Sequence, residues 1–307
     1  MSGLQQVLRD YLSLRRALGF KLERQGVLLP GFVASVEASG TSFITTALAL
    51  AWAMKPAQAT LQWAATRLDM VRGFARYAYT VDPRTEVPPQ KLLAHPRRKL
   101  QPYIYSDAEV AALMAATRRI RDPLRAHTYR TVIGLLAATG MRVGEALALD
   151  RRWLNGEERL ITVRGGKFGK SREVPLHPQT FSALEEYAGQ RDRRFRRSVS
   201  SAFFLSLAGK RLIYSNVQQT FSRLVVGAGL ADRESRQPRI HDLRHTFAVR
   251  TLIDWYRAGL DVERQLSVLS TYLGHVNPSS TYWYLSAVPE LLGVAAQRLE
   301  DNLGELP

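Results

Sequence analysis

Between Val81 and Tyr103 the chain carries Pro83, Pro88, Pro89 and Pro96, a spacing that interrupts any helix or central strand. Each proline ring fixes its own φ, removes a backbone donor and crowds the preceding turn. The stretch therefore divides the chain. Before it, Leu4, Val7, Leu8, Tyr11 and Leu12 form one apolar stripe of helical period, and Leu61, Leu68, Val71, Phe74 and Ala78 form another. The sequence predicts a helical bundle over residues 1–82 and a basic, proline-containing linker over 83–102, in which Arg97, Arg98 and Lys99 follow Pro96. A second domain is predicted over 103–307. A length of 307 residues suits two cores.

The second domain opens on Ser106 with Glu109 three residues on, the pattern of a capping box. Helical patterning then runs through Thr131–Ala138 to a stop at Gly140. Short β-like runs follow, Leu160–Val163 and Arg172–Leu176, separated by the glycine-rich Gly165–Gly169, which reads as a hairpin with a flexible tip. Helices are expected from there on. The fold class is mainly α with a small β-hairpin or sheet, in two domains.

Charge narrows the partners. Lys and Arg number 43 against 27 Asp and Glu, a formal charge of +16, and the excess is shared evenly between residues 1–100 and the remainder. An extended polyanion is the natural partner of both parts, with an anionic membrane surface as the alternative. In the bundle, Arg67, Arg72 and Arg76 lie off the apolar stripe, on a side that faces either a polyanion or water. Cysteine is absent, which removes disulfides, thiol nucleophiles and Cys-rich zinc sites. The longest apolar run, Ala47–Met54, falls far short of the roughly 18 residues of a membrane span, and no secretory leader pattern is visible at the N-terminus. The expectation is a cytoplasmic protein that makes no membrane contact and needs no cofactor or metal.

Three segments carry chemistry. In Ala138-Thr139-Gly140-Met141-Arg142-Val143-Gly144-Glu145, Arg142 stands at the start of a new helix, where a guanidinium and a helix N-terminus both suit an anion. In Arg239-Ile240-His241-Asp242-Leu243-Arg244-His245, His241 and Arg244 project from one face of a helix, while His245 lies about 100° from Arg244 and reads as structural. In Leu273-Gly274-His275-Val276-Asn277-Pro278, a helix stops at Gly274 and another starts at Asn277-Pro278, which places His275 on a tight connection. Tyr282 and Tyr284 follow on that helix about 200° apart around its axis, so only one of them can serve as a nucleophile.

In order and spacing, these segments resemble the boxes of the tyrosine recombinases, the phage integrase family that includes lambda integrase, Cre and the Xer proteins. The resemblance spans most of residues 103–290. It rests on an Arg in an A-T-G-x-R-x-x-E context, a Lys in a β-hairpin, an H-x-x-R, a second His after Leu-Gly, and a Tyr nine residues beyond it. The corresponding residues are Arg142, Lys167, His241 with Arg244, His275 and Tyr284. Lys167 is preferred to Lys170, because aligning Lys170–Leu176 with the family's K-x-R-x-V-P-L run leaves the catalytic Lys three residues earlier.

The resemblance implies a site-specific recombinase or integrase that binds double-stranded DNA as a C-shaped clamp and acts as a homotetramer in the synaptic complex. Other recombinases or directionality factors are possible companions. It implies that Tyr284 attacks the scissile phosphate, expels the 5′-hydroxyl and leaves a 3′-phosphotyrosyl link. Arg142 and Arg244 would clamp the phosphate oxygens, His275 would hydrogen-bond them, Lys167 would protonate the leaving oxygen and His241 would accept the tyrosyl proton. Glu145 would orient Arg142. Residues 286–307, with Val288, Leu291, Leu292, Val294, Ala295 and Leu299 at roughly helical spacing, would dock onto a neighbouring protomer. Integration, excision or transposition of a mobile element is the expected task; a Xer-like resolvase of replicon dimers is the alternative. Two further readings are a type IB topoisomerase, which shares the chemistry, and a non-catalytic DNA-binding accessory protein, which a broken catalytic set would mark.

Overall fold

The computed structural model describes residues 3–55, 60–93, 102–164, 171–196, 200–231, 237–275, 277, 279–287 and 293. The chain divides into two compact units, 1–99 and 100–307.

The first unit is built from α1 (Gly3–Ala17), α2 (Glu23–Ala38), α3 (Thr46–Met54) and α4 (Leu61–Val81). Thr45 and Thr60 start α3 and α4, each accepting a hydrogen bond from a backbone N–H of the first turn. The α1 stripe buries Leu4, Leu8, Tyr11 and Leu12, and α4 buries Leu68, Val71, Phe74 and Ala78 against Phe32, Val33 and Trp52. Each of the larger of these side chains contributes about 1.5–3 kcal/mol by leaving water. Leu61, by contrast, is exposed.

Two of the three arginines on α4 that helical period places off the stripe are buried. Arg67 donates to the Trp52 carbonyl at 2.7 Å and lies 3.6 Å over the Trp52 ring. Arg72 donates to the Pro88 and Pro89 carbonyls at 2.8 and 2.7 Å and pairs with Asp69. Arg76 is exposed. The Arg72 bonds also alter the picture of the proline segment. Residues 83–93, read from sequence as the first half of a linker, are laced to the bundle through Arg72, through the Glu86 N–H to the Ile44 carbonyl, and through Val87 and Leu93 on its core. Prolines forbid a helix there but leave their carbonyls free to accept. The basic run at 97–99 lies outside the described residues.

In the second unit the capping box closes on α5 (Asp107–Ala116): Ser106 Oγ accepts from the Glu109 N–H, and Glu109 accepts from the Ser106 N–H. A short 3-10 turn leads to α6 (Pro123–Thr139), then α7 (Val143–Ala148). Strands β1 (Leu154–Asn155), β2 (Leu160–Val163) and β3 (Arg172–Pro175) form an antiparallel sheet in that order. The β2–β3 register pairs Ile161 with Val174 and Val163 with Arg172, so Ile161, Val163 and Val174 share the buried face. Helices α8 (Pro178–Arg194) and α9 (Tyr214–Gly227) pack with α5, α6 and the sheet around one core. Helices α10 (Asp242–Arg257), α11 (Val262–Leu273) and α12 (Ser279–Ala287) form an adjoining core that includes Leu252, Leu266, Leu269 and Tyr284. The tail segment 288–307, apart from Gly293, lies outside the described residues, as do the hairpin-tip positions 165–170. Among the described residues no helix is long and apolar enough to cross a membrane.

Candidate active site

Two helices of the second unit end on glycine in the left-handed region, α6 at Gly140 (φ 60°) and α11 at Gly274 (φ 67°). A side chain is strained at such a φ, and at Gly140 a Cβ would come within 2.5 Å of the Phe247 ring. A helix that stops this way leaves its last carbonyls without helical partners, at the negative end of the helix dipole. Three guanidinium groups occupy these carbonyls. Arg244, carried on the first turn of α10, donates to Gly140 O at 2.9 Å and Leu273 O at 2.7 Å. Arg142, the N-cap of α7, donates to Gly274 O at 2.7 Å, and Arg172, at the start of β3, donates to Tyr272 O at 2.8 Å.

Glu145 ties two of them together. Its carboxylate accepts from Arg142 at 2.8 Å and from Arg172 at 3.1 and 2.7 Å, and also from the Arg142 backbone N–H. Burial alone would raise its pKa, but the hydrogen bonds and charge of Arg172 and Arg142 outweigh burial and hold it at about 2. Arg244 is almost sealed from water; burial first and the neighbouring Arg142 charge second bring its pKa down to about 10. It remains charged at neutral pH. Arg142 and Arg244 each have N–H donors beyond the two that these contacts engage.

The tyrosine lies against this cationic group. Tyr284, on the second turn of α12, is 2% exposed, whereas Tyr282, on another side of the same helix, is 51% exposed. The Tyr284 hydroxyl shares a 2.9 Å hydrogen bond with His245 Nδ1. Burial raises its pKa, and the charges of Arg244 and Arg142 oppose the rise. His275 follows the Gly274 stop, shares a 2.7 Å hydrogen bond with Thr281, and lies nearly parallel to the Tyr284 ring at 6.4 Å. Burial, then the charges of Arg244, Arg142 and Arg172, lower the His275 pKa to about 4. His241 caps α10 and meets His245 edge-on at 4.9 Å; burial and then Arg244 lower its pKa as well. At neutral pH the site thus combines fixed cations, neutral imidazoles and one buried phenol. Such a set can stabilise an anion and move a proton to or from oxygen, which are the requirements of phosphoryl transfer.

Of the residues singled out in the sequence, Arg142, His241, Arg244, His275 and Tyr284 come together here. Lys167 lies outside the described residues, although the β2–β3 register starts its loop directly beside Arg172. Three contributors went unread. From sequence, His245 reads as structural by its angle to Arg244, which ignores a helix packing on that other side. Arg172 served only to align Lys167, and the strand position that aims it at Glu145 needed the register. Thr281, fully buried, has only its one-turn spacing from Tyr284 as a signal. Among the described residues no cluster of three His, Asp or Glu side chains is arranged to hold a metal ion.

The profile of the phage integrase family matches residues 104–290. The chain is 43% identical to a protein of Sinorhizobium fredii named as an integrase/recombinase, y4rB, over 98% of each chain. It is 29% identical to the tyrosine recombinase XerC of Chlamydia trachomatis over 71% of this chain and 64% of that one. In fold it is similar to the integrase of transposon Tn1549 in complex with transposon right end DNA, with a TM-score of 0.63, 18% identity, and coverage of 96% of this chain and 99% of that chain.

Proposed function

The chain belongs to the phage integrase family and is a tyrosine recombinase, and from that premise we propose that it cuts and rejoins double-stranded DNA through a covalent 3′-phosphotyrosyl link on Tyr284. The observation that carries this reading is the convergence of the buried Tyr284 with Arg142 and Arg244. The two guanidiniums hold the non-bridging oxygens of the scissile phosphate and offset the charge that grows as the tyrosyl oxygen bonds to phosphorus; donors of this kind contribute about 10²–10³-fold each. His275 donates to the same phosphate. Lys167, in the loop that springs from Val163 and returns at Arg172, protonates the departing 5′-oxygen. Glu145 and Arg172 keep Arg142 on its carbonyl and act as positioning residues. The energy of the broken bond stays in the phosphotyrosyl ester and drives rejoining.

The exposed basic residues of the first unit, Arg76 among them, are assigned to the phosphate backbone, where they add affinity and salt dependence. Four copies act together on two duplexes, in the cytoplasm. Mobilisation of a DNA element is the favoured task, supported by full-length similarity to an integrase/recombinase. Resolution of replicon dimers is the second reading, favoured by the similarity to XerC.

Nicked suicide duplexes tiled across the DNA flanking the gene test the reading. A covalent adduct mapping to Tyr284 is expected. An adduct on Tyr282, or one that persists in Tyr284→Phe, would overturn it. Substrate preference among the tiles separates element ends from a chromosomal dimer-resolution site.

A further inference from the structure

His245 stands outside the residues assigned above, yet it makes the closest polar contact recorded for the Tyr284 hydroxyl, Nδ1 at 2.9 Å. A hydrogen bond of this length to a buried phenol could be structural alone, since buried polar groups are paired. Two features of the surroundings go further. His245 sits between His241, edge-on at 4.9 Å on its own helix, and Tyr284, 5.5 Å between ring centres on α12, so a proton leaving Tyr284 meets His245 before His241. Trp283 also meets the His245 ring edge-on, at 5.7 Å, and Tyr284 itself is 2% exposed, which limits bulk water as an alternative acceptor for its proton.

We propose that His245, rather than the His241 that the family resemblance implies, is the proton acceptor of the cleavage step: its Nδ1 holds the Tyr284 hydroxyl in place and takes the hydroxyl proton as the oxygen attacks phosphorus. This rests on the reading of Tyr284 as nucleophile. The Oη–P bond forms while the P–O5′ bond breaks. The Oη proton moves to Nδ1, and the 5′-oxygen leaves with a proton from the general acid assigned above. The ring must carry its resting proton on Nε2, so that Nδ1 presents a lone pair. In the reverse, rejoining step, Nδ1–H returns the proton to the tyrosyl oxygen.

The charges around His245 fit this cycle. On its own segment it faces His241, Asp242, Arg239 and Arg244; from α12 it faces Tyr284. Burial, then His241, lowers its pKa to about 4, with Asp242 opposing and the arginines assisting. The free enzyme therefore keeps the ring neutral and ready to accept. An incoming phosphate brings negative charge to the cations that disfavour imidazolium, and the charge developing on phosphorus favours it further.

The test compares single-turnover adduct formation by wild type, His245→Ala and His245→Gln on the nicked duplexes that the wild type cleaves. Glutamine can accept the hydrogen bond but cannot take the proton. Both variants are expected to be slower by about 10²–10⁴-fold, the usual contribution of general acid–base catalysis. Neither is expected to recover on a duplex with a 5′-bridging phosphorothiolate, whose sulfur leaves without a proton. A wild-type rate in His245→Gln reduces the residue to a hydrogen-bond partner, a faster rate in His245→Ala makes it a brake, and recovery on the sulfur duplex moves it to the leaving group. Each of these overturns the proposal. A wild-type adduct that maps to a residue other than Tyr284 overturns the nucleophile reading instead, and this one with it. ¹⁵N NMR of the imidazoles in the intact wild-type chain reports independently of whether the variants fold. An unprotonated His245 Nδ1 whose signal moves in Tyr284→Phe is expected, and a protonated Nδ1 refutes the geometry the proposal needs.

Discussion

Arg67 and Arg72 in the first unit and Arg142 and Arg244 in the second are held in much the same way, by donating to backbone carbonyls. What surrounds them differs. The first pair is closed off by the Trp52 ring, the Pro88–Pro89 segment and Asp69. The second pair converges on a phenol and three imidazoles, beside the carboxylate that Arg142 shares with Arg172. A carbonyl-bound arginine is thus a packing device by itself, and it becomes part of a candidate reactive centre only where titratable groups gather on its open side.

The sharpest break between the two regions is expected at the phenol. Tyr284→Phe removes one oxygen and should abolish the adduct entirely while the fold persists, whereas Tyr282→Phe should cleave at close to the wild-type rate; denaturing gels of DNA-linked protein report both. Next in size, Arg244→Lys keeps a charge but cannot bridge Gly140 and Leu273, and should lower the cleavage rate by about 10²–10³-fold. A cleavage rate in Arg67→Ala that falls as far would erase the distinction between the pairs.

Stability should divide them by pH. The Glu145 pKa is held at about 2 against an ordinary value of 4.5. A carboxylate with a depressed folded pKa stabilises fully above its unfolded value and loses that contribution as pH falls through its folded one, here from about 4.5 down to 2, worth on the order of 3 kcal/mol. His245 and His275, lowered from 6.5 to about 4, act earlier: below pH 6.5 the unfolded chain binds protons that the folded chain resists, so stability declines toward pH 4. Melting of the separate units against pH should show this loss in residues 100–307, and Glu145→Gln should flatten its acid limb.

Smaller effects belong to the first unit. Arg67→Ala removes a charged hydrogen bond and a cation–π contact and should cost about 2 kcal/mol in the melting of that unit. Arg76→Ala, at an exposed position, should leave melting unchanged and lower the slope of DNA affinity against salt by roughly one.

How much of this was legible in the sequence depended on whether the signal was local. The Ser106–Glu109 box, the stops at Gly140 and Gly274, and the hairpin around β2 and β3 are set by residues within a few positions of each other, and they read directly. The spacing from His275 singles out Tyr284 over Tyr282, and the two also differ in burial, Tyr284 inside and Tyr282 exposed. Arg67 and Arg72 did not read, because helical period reports which side of α4 a residue occupies and nothing of the Trp52, Pro88 and Pro89 carbonyls 15 to 17 positions away. His245 failed for a related reason: its angle from Arg244 is correct, but α12 returns on that side and makes it a second inward face.

The carbonyls of Leu273 and Gly274 have a consequence for the life of the chain on the ribosome. Arg142 and Arg244 are synthesised long before the end of α11 that seats them, and Tyr284 comes later still. A nascent chain halted before that point has neither the α11 carbonyls that mount the cation pair nor the proposed nucleophile. On the proposed reading, incomplete synthesis would yield a fragment unable to leave an unsealed break in DNA, and nicking competence would arrive together with the means to reseal.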